Sequence, residues 1–187
     1  MSGGNASNIG VSESNIVGDS GLNNCDDQYL TFFMANEEYG VDILCVQEIR
    51  GWETVTPIPN APSHIKGVMN LRGTIVPIID LRQCYGLSAI EYTSITVVVV
   101  LKIETEKGSR TVGIVVDAVS DVYTISVDDM KPSPDLGESV STDFIKGLVD
   151  INGKMVILLE INKLLSIDDI QDIAEVSKQI HSVVPTN

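Results

Sequence analysis

His64 and His181 are the two imidazoles of the chain, and neither stands beside a nucleophile or second ligand that would make it a general base. Asp117, Asp121, Asp128 and Asp129 crowd one stretch and invite comparison with a cation site. They lack the ordered spacing of a calcium loop, so they read as solvated turn carboxylates. Cys25, Cys45 and Cys84 are widely separated and odd in number. Without paired metal-ligand spacing they fit small thiols in a reducing cytoplasm. Neither GxxxxGK followed by Ser or Thr nor HExxH occurs. No catalyst, cofactor or metal centre is expected. Arg72 is better placed: at a tight turn it offers a planar fork of donors that a carboxylate accepts bidentately.

The element that positions Arg72 is the stretch GVMNLRGTIVPIIDL, residues 67 to 81. Two apolar, β-prone runs flank Arg72-Gly73, which reads as a hairpin, with Gly73 taking the positive φ that a Cβ makes costly. Pro77 lacks a backbone donor, so its strand is expected at a sheet edge or at a bulge. The pattern returns as GLVDINGKMVILLEI, residues 147 to 161, with Asn152-Gly153 at its turn. Upstream, YGVDILCVQEI (39 to 49) aligns with VGIVVDAVSDV (112 to 122) at an offset of 73. The hairpins align at an offset of 80, which requires a seven-residue insertion in the second copy, placed between Lys131 and Thr142. The chain reads as an internal duplication.

In order, Gln28 to Ala35 is a strand turned back by Asn36-Glu37 into Glu38 to Ile43. Residues 43, 46 and 49 allow one helical turn, but the repeat favours strand, break, strand. Gly51 to Ile58 continues extended into a loop stiffened by Pro57, Pro59 and Pro62. The unbroken apolar middle of Ser94 to Ile103 suits a strand buried on both faces. Lys107 to Arg110 is its turn, Thr111 to Val116 returns, and Asp121 to Val127 extends further. Short connections leave little room for crossover helices, so an all-β pair of barrels is expected rather than an α/β sheet. Ser166 to His181 carries Ile167, Ile170, Ile173, Val176 and Ile180 in a helical stripe, expected to pack on the barrels.

Residues 1 to 26 hold Ser, Gly and Asn and no Lys or Arg. They read as a disordered tail rather than a secretory signal, which has a basic start and a continuous apolar core. The formal net charge is −14, from 12 basic and 26 acidic residues. Such a surface repels phosphate backbones, so nucleic acid is not an expected partner. No apolar run approaches the roughly 20 residues of a spanning helix, and a soluble protein is expected. Two functional classes remain: a partner-binding module, or a small-molecule-binding or enzymatic barrel, with an oligonucleotide-binding barrel disfavoured by the charge and the missing basic groove.

The motifs EEYGVDILCVQEIRG, HIKGVMNLRGTIVPIIDLR and VGIVVDAVSDV, in this order within residues 28 to 165, closely resemble the CheW-like family of bacterial chemotaxis coupling proteins. The resemblance implies two five-stranded SH3-like barrels around a shared hydrophobic core, with no catalytic activity and no cofactor or metal. It implies an adaptor that binds the cytoplasmic tip of chemoreceptors and the regulatory domain of the histidine kinase CheA. The adaptor would be cytoplasmic and recruited to membrane-associated receptor arrays. By motif, Glu48 and Arg72 match the family's acidic and basic pair near the receptor-binding region. Val46, Val119 and Val122 match its apolar receptor groove, although the residues alone would also allow core positions. Gly67, Thr96 and Gly113 match lower-ranked interaction positions, the two glycines being explicable as turn residues. The tail and the C-terminal helix carry no usable match.

Overall fold

The computed structural model describes residues 26–106, 108–134 and 142–165. The expected tail, the helix 166–181, Cys25 and His181 lie outside the described residues, apart from Asp26. Among the described residues ten strands form two curled five-stranded sheets. One has the order β8-β1-β2-β10-β9, built from β8 (Ala118–Ile125), β1 (Asp27–Met34), β2 (Glu37–Asp42), β10 (Lys154–Leu159) and β9 (Ile145–Ile151). The other has the order β3-β6-β7-β5-β4, built from β3 (Val46–Gly51), β6 (Val97–Thr105), β7 (Gly108–Val116), β5 (Thr74–Asp80) and β4 (Ile65–Leu71). Single turns of helix, α1 (Leu81–Cys84) and α2 (Ile161–Leu164), follow β5 and β10.

The two strand orders superimpose when each strand is matched to the one five places away, which bears out the duplication. Register confirms both offsets. Gly40 pairs with Leu158 and Gly113 with Ile78, while the bulges at Lys66 and Lys146 and the turns at 72–73 and 152–153 recur 80 residues apart. Each lobe takes a hairpin from the opposite copy: β1-β2 completes the sheet of β8 to β10, and β6-β7 completes that of β3 to β5. Each sheet closes through one extra bridge between its edges, Thr56 with Val68 and Lys131 with Leu148.

This exchange explains the apolar run in β6. Val98 and Val100 point into their own barrel with Met69, Val76, Ile78 and Val115. Val99, Leu101 and Ile103 point the other way, into a core shared with Leu30, Phe32 and Met34 of β1. With side chains alternating across the strand, both faces are apolar because both are covered. The second barrel is filled by Tyr29, Ile125, Val149, Val156 and Leu158, as small barrels are.

The structure corrects several local expectations. The first hairpin turns at Ala35-Asn36, both with positive φ (53° and 66°), and Glu37 already pairs with Met34. Arg72 joins Gly73 at positive φ, 52° and 90°, as the two-residue primed turn requires. Gly108 to Arg110 belong to β7, since Thr105 pairs with Gly108. Between β2 and β3 the break is a 3-10 turn, Ile43–Cys45. Pro77 is neither in an edge strand nor at a bulge, the β4 bulge lying at Lys66. Its partner Val68 gives both backbone groups to Thr56 (2.8 and 3.0 Å), so the Val68–Pro77 pair is the non-hydrogen-bonded kind. The missing donor thus faces β7, whose pairing starts only at Ile78.

An aromatic column runs from the shared core toward the surface: Phe32 on Tyr39 (6.1 Å), Tyr39 on Tyr85 (6.2 Å) and Tyr85 on Phe144 (5.3 Å). Burial holds the Tyr85 phenol well above its ordinary range, and its hydroxyl finds no hydrogen-bond partner among the described residues. Tyr92 is raised too, by burial and then by its 2.6 Å hydrogen bond to Asp80. A raised phenol means that the folded state holds its proton after the unfolded chain has released it near pH 10.0. Stability from both groups is therefore complete below that pH and lost as pH rises above it. Urea melts between pH 9 and 11 are expected to show this loss, and Tyr85→Phe with Tyr92→Phe to reduce it, the remainder coming from Tyr29 and Tyr39, which burial also raises.

Candidate functional site

The acidic and basic residues singled out by sequence meet. Arg72, projecting from the β4-β5 turn and 83% exposed, places Nη2 3.4 Å from Glu48 Oε2 on β3. The other carboxylate oxygen, Oε1, lies 3.4 Å from Arg50 Nη1, and Arg50 reaches on to Glu53 at 3.3 Å. The pairing is thus a carboxylate bridging two guanidiniums, one oxygen each, rather than a bidentate fork. β3 and β4 are the two edges of their sheet, so the pair spans the seam where the barrel closes. The corresponding places in the other lobe hold Asp121 and Asn152, and the network has no copy there.

Each of the three candidate valines lies on the side of its own sheet that faces the shared core, which follows from two bulges. In a regular strand, residues three apart point to opposite faces. On β8, Val119 pairs with Phe32 and Val122 with Leu30, so two residues stand opposite Thr31 and the extra one returns Val122 to the face of Val119. On β3 the same shift sets Val46 opposite Leu101 and Ile49 opposite Val99. All four cross-strand partners belong to the shared core. Val46 and Val119 are half-buried against that core, whereas Val122 and Ile49 are 42% and 46% exposed. The four form an apolar fringe where the shared core meets solvent at an edge strand of each sheet. Sequence reading missed Ile49; the repeat held the signal, since the offset of 73 pairs Val46 with Val119 and Ile49 with Val122.

The lower-ranked positions are internal. Thr96 is buried, its hydroxyl accepting from the Thr93 N–H (2.9 Å) and its carbonyl from the Trp52 N–H (2.9 Å). Gly67 and Gly113 are not turn residues. Both lie within strands, where a Cβ at Gly67 would overlap the Thr56 backbone and one at Gly113 would meet Ile78 and Val98. Asp117 is paired with Arg82 at 2.7 Å, while Asp128 and Asp129 sit in a 3-10 turn. Among the described residues no three His, Cys, Asp or Glu side chains are grouped to hold a metal ion, and no helix is long and apolar enough to cross a membrane.

Comparison with known proteins agrees with this arrangement. Residues 28–169 match the family model described as CheW-like domain. The chain belongs to the CheW-like family. Its relatives include the chemotaxis protein CheW of Klebsiella aerogenes, 46% identical over 151 residues, covering 81% of this chain and 89% of the relative. The chemotaxis protein CheW of Rhizobium meliloti is 38% identical, covering 76% and 90%. Among solved structures, the scaffolding protein TtCheW from Thermoanaerobacter tengcongensis superimposes with a TM-score of 0.68 at 29% identity, covering 77% of this chain and 95% of that one. The CheW-like domain here is therefore the interlocked pair of barrels, and its match ends just beyond α2.

Proposed function

We propose that this protein is a non-enzymatic chemotaxis adaptor that couples the cytoplasmic tip of chemoreceptors to the regulatory domain of a CheA-type histidine kinase. In this reading it is cytoplasmic and is recruited to membrane-associated receptor arrays. The observation that carries the reading is the apolar fringe of Val46, Ile49, Val119 and Val122. Side chains exposed on edge strands suit the apolar face of a helical hairpin, recognised as a helix laid in a groove. Both barrel interiors are filled by their own side chains, which favours the outer surface as the working one over a ligand enclosed in a barrel. Glu48 and Arg72 border the β3 side of that surface and would fix the β4-β5 turn beside it.

The test is a binding assay of the purified full-length protein with a receptor cytoplasmic fragment and the kinase regulatory domain, separately and together. Binding to each, with kinase activity changing only in the complete mixture, is the expected result. A folded sample that binds neither overturns the reading.

Within that assay, Arg72→Ala and Glu48→Ala are each expected to weaken receptor coupling by roughly fivefold, the scale of about 1 kcal/mol. Their stability cost should stay below about 1 kcal/mol, because exposed ion pairs contribute little. A double-mutant cycle on affinity separates a direct pair from two independent contacts. If instead stability falls while coupling holds, the pair serves only to close the barrel.

A further inference from the structure

The β8 bulge brings Val119 and Val122 to one face, and a buried polar relay holds that bulge. Thr31 stands opposite the doubled residues Ser120 and Asp121 and is wholly buried. Its Oγ1 lies 3.2 Å from the Asp121 N–H nitrogen, 3.2 Å from the Asp121 carbonyl oxygen and 2.8 Å from Glu38 Oε1. A hydroxyl has one proton to give. The short contact to the carboxylate takes it, since charge-assisted hydrogen bonds are the stronger kind. That leaves a lone pair on Oγ1 for the N–H of Asp121, one of the two doubled residues of the bulge. Glu38, on β2 and 9% exposed, thereby orients the Thr31 hydroxyl from the far side of β1.

The other lobe is built differently. Thr31 corresponds there to Val100, by their matching places opposite the β3 and β8 bulges, and Glu38 corresponds to Thr111 at the offset of 73. The β3 bulge is tied at the surface, where the Thr111 hydroxyl donates to the side chain of its extra residue, Gln47, at 3.2 Å. A surface tie exchanges with water, whereas the Thr31 hydroxyl is wholly buried, with a buried bond to Glu38 and part-buried ones to Asp121. A buried hydroxyl is costly to leave unpaired, so Thr31 favours the one geometry that pairs it.

We infer that Thr31 and Glu38 are positioning residues for the binding fringe: they act without contacting the partner, by setting the bulge that puts Val119 and Val122 on one face at the rim of the shared core. The inference rests on the reading of that fringe as the receptor surface. It makes the β8 side the pre-ordered half of the site and the β3 side the adaptable half.

The test uses the full-length protein with Thr31→Val, which keeps the shape and deletes the hydroxyl, Thr31→Ser, which restores it, and Glu38→Gln, which leaves a neutral acceptor. Thr31→Val is expected to speed amide hydrogen exchange at Asp121 by roughly tenfold relative to core amides such as Val99, the scale of one buried hydrogen bond. Affinity for the receptor fragment should fall by a similar factor, with binding to the kinase regulatory domain unchanged. Thr31→Ser should return both readouts toward wild type, and Glu38→Gln should move both in the direction of Thr31→Val by about threefold. If Thr31→Val does not fold, Glu38→Gln and Thr31→Ser carry the comparison. Unchanged exchange at Asp121, or faster exchange with receptor affinity intact, overturns the inference. Val122→Asp separates the two readings: if it binds the receptor fragment normally, the fringe is not the receptor surface, and the exchange arm still decides the relay.

Discussion

Gly67→Ala is expected to cost about 3 kcal/mol or more of folding stability, enough to unfold a marginal domain. Gly67 has φ of 143°, a region that side chains rarely adopt, and an added Cβ would overlap the Thr56 carbonyl and crowd the Pro57 Cα at 3.1 Å. Those neighbours are backbone atoms and cannot rotate away. Thr56 is itself fixed by the two hydrogen bonds to Val68 that close the barrel, at 2.8 and 3.0 Å. Relieving the overlap means reopening that seam. Gly113→Ala meets only the ends of side chains, Ile78 Cδ1 at 2.6 Å and Val98 Cγ1 at 2.9 Å. Both are packed in the barrel interior, so overpacking of about 1 to 3 kcal/mol is expected. Gly147→Ala, the repeat mate of Gly67, would stand 3.2 Å from the Lys131 carbonyl and should cost least. Urea denaturation followed by the fluorescence of Trp52, the single tryptophan, gives the order. A Gly147 variant as unstable as the Gly67 variant would contradict the looser packing of the second seam. Loss of partner binding in Gly67 or Gly113 variants should accordingly track loss of fold.

What the sequence made legible follows from which signals are local. The hairpin turns at 72–73 and 152–153 were readable because a two-residue turn depends on its own φ angles, and Gly or Asn announces them. The duplication was readable because both copies keep the same glycines for the same close approaches. The exchange of hairpins between lobes was not, since pairing β2 with β10 or β5 with β7 is a parallel contact across a long stretch of chain, and nothing local encodes it. Pro77 was misjudged for that reason: its tolerance depends on where the partner strand begins. Glu48 and Arg72 were found through motifs, but the bridging role of Arg50 needs the geometry of β3. The relay through Thr31 and Glu38 was invisible, because a buried threonine in a strand resembles ordinary β propensity until the bulge opposite it is known.

Arg82→Ala is expected to cost about 2 to 3 kcal/mol, more than any exposed pair among the described residues, by breaking the clamp where the chain crosses between sheets. That crossing is Asp117, between β7 of one lobe and β8 of the other. Its Oδ2 accepts from Arg82 Nη1 at 2.7 Å and from the Ala35 N–H at 2.9 Å, and its own N–H donates to the Phe33 carbonyl at 3.0 Å. Arg82 also donates through Nε to the Ser88 carbonyl at 3.2 Å. The side chains are 14% and 23% exposed, so the pair is largely shielded from salt, and the fully buried value is discounted for the remaining water. Asp117→Ala should cost at least as much, because it also strands the Ala35 N–H, whereas Asp117→Asn keeps an acceptor for it and should cost less. A double-mutant cycle should return a coupling of about 1 to 3 kcal/mol, and a coupling under about 0.5 kcal/mol would mean that each residue acts alone. The other crossing has no such device: Leu44, the repeat mate of Asp117, is 86% exposed in the 3-10 turn between β2 and β3. The clamp therefore adds to the shared core a polar tie between the lobes at the β7-β8 corner that the other crossing does not repeat. Because the proposed binding fringe is divided between β3 of one sheet and β8 of the other, Arg82→Ala should weaken a partner that needs both edges more than one that contacts a single barrel. Comparing receptor-fragment affinity with kinase-domain affinity in this variant, at a temperature where it is fully folded, measures that difference.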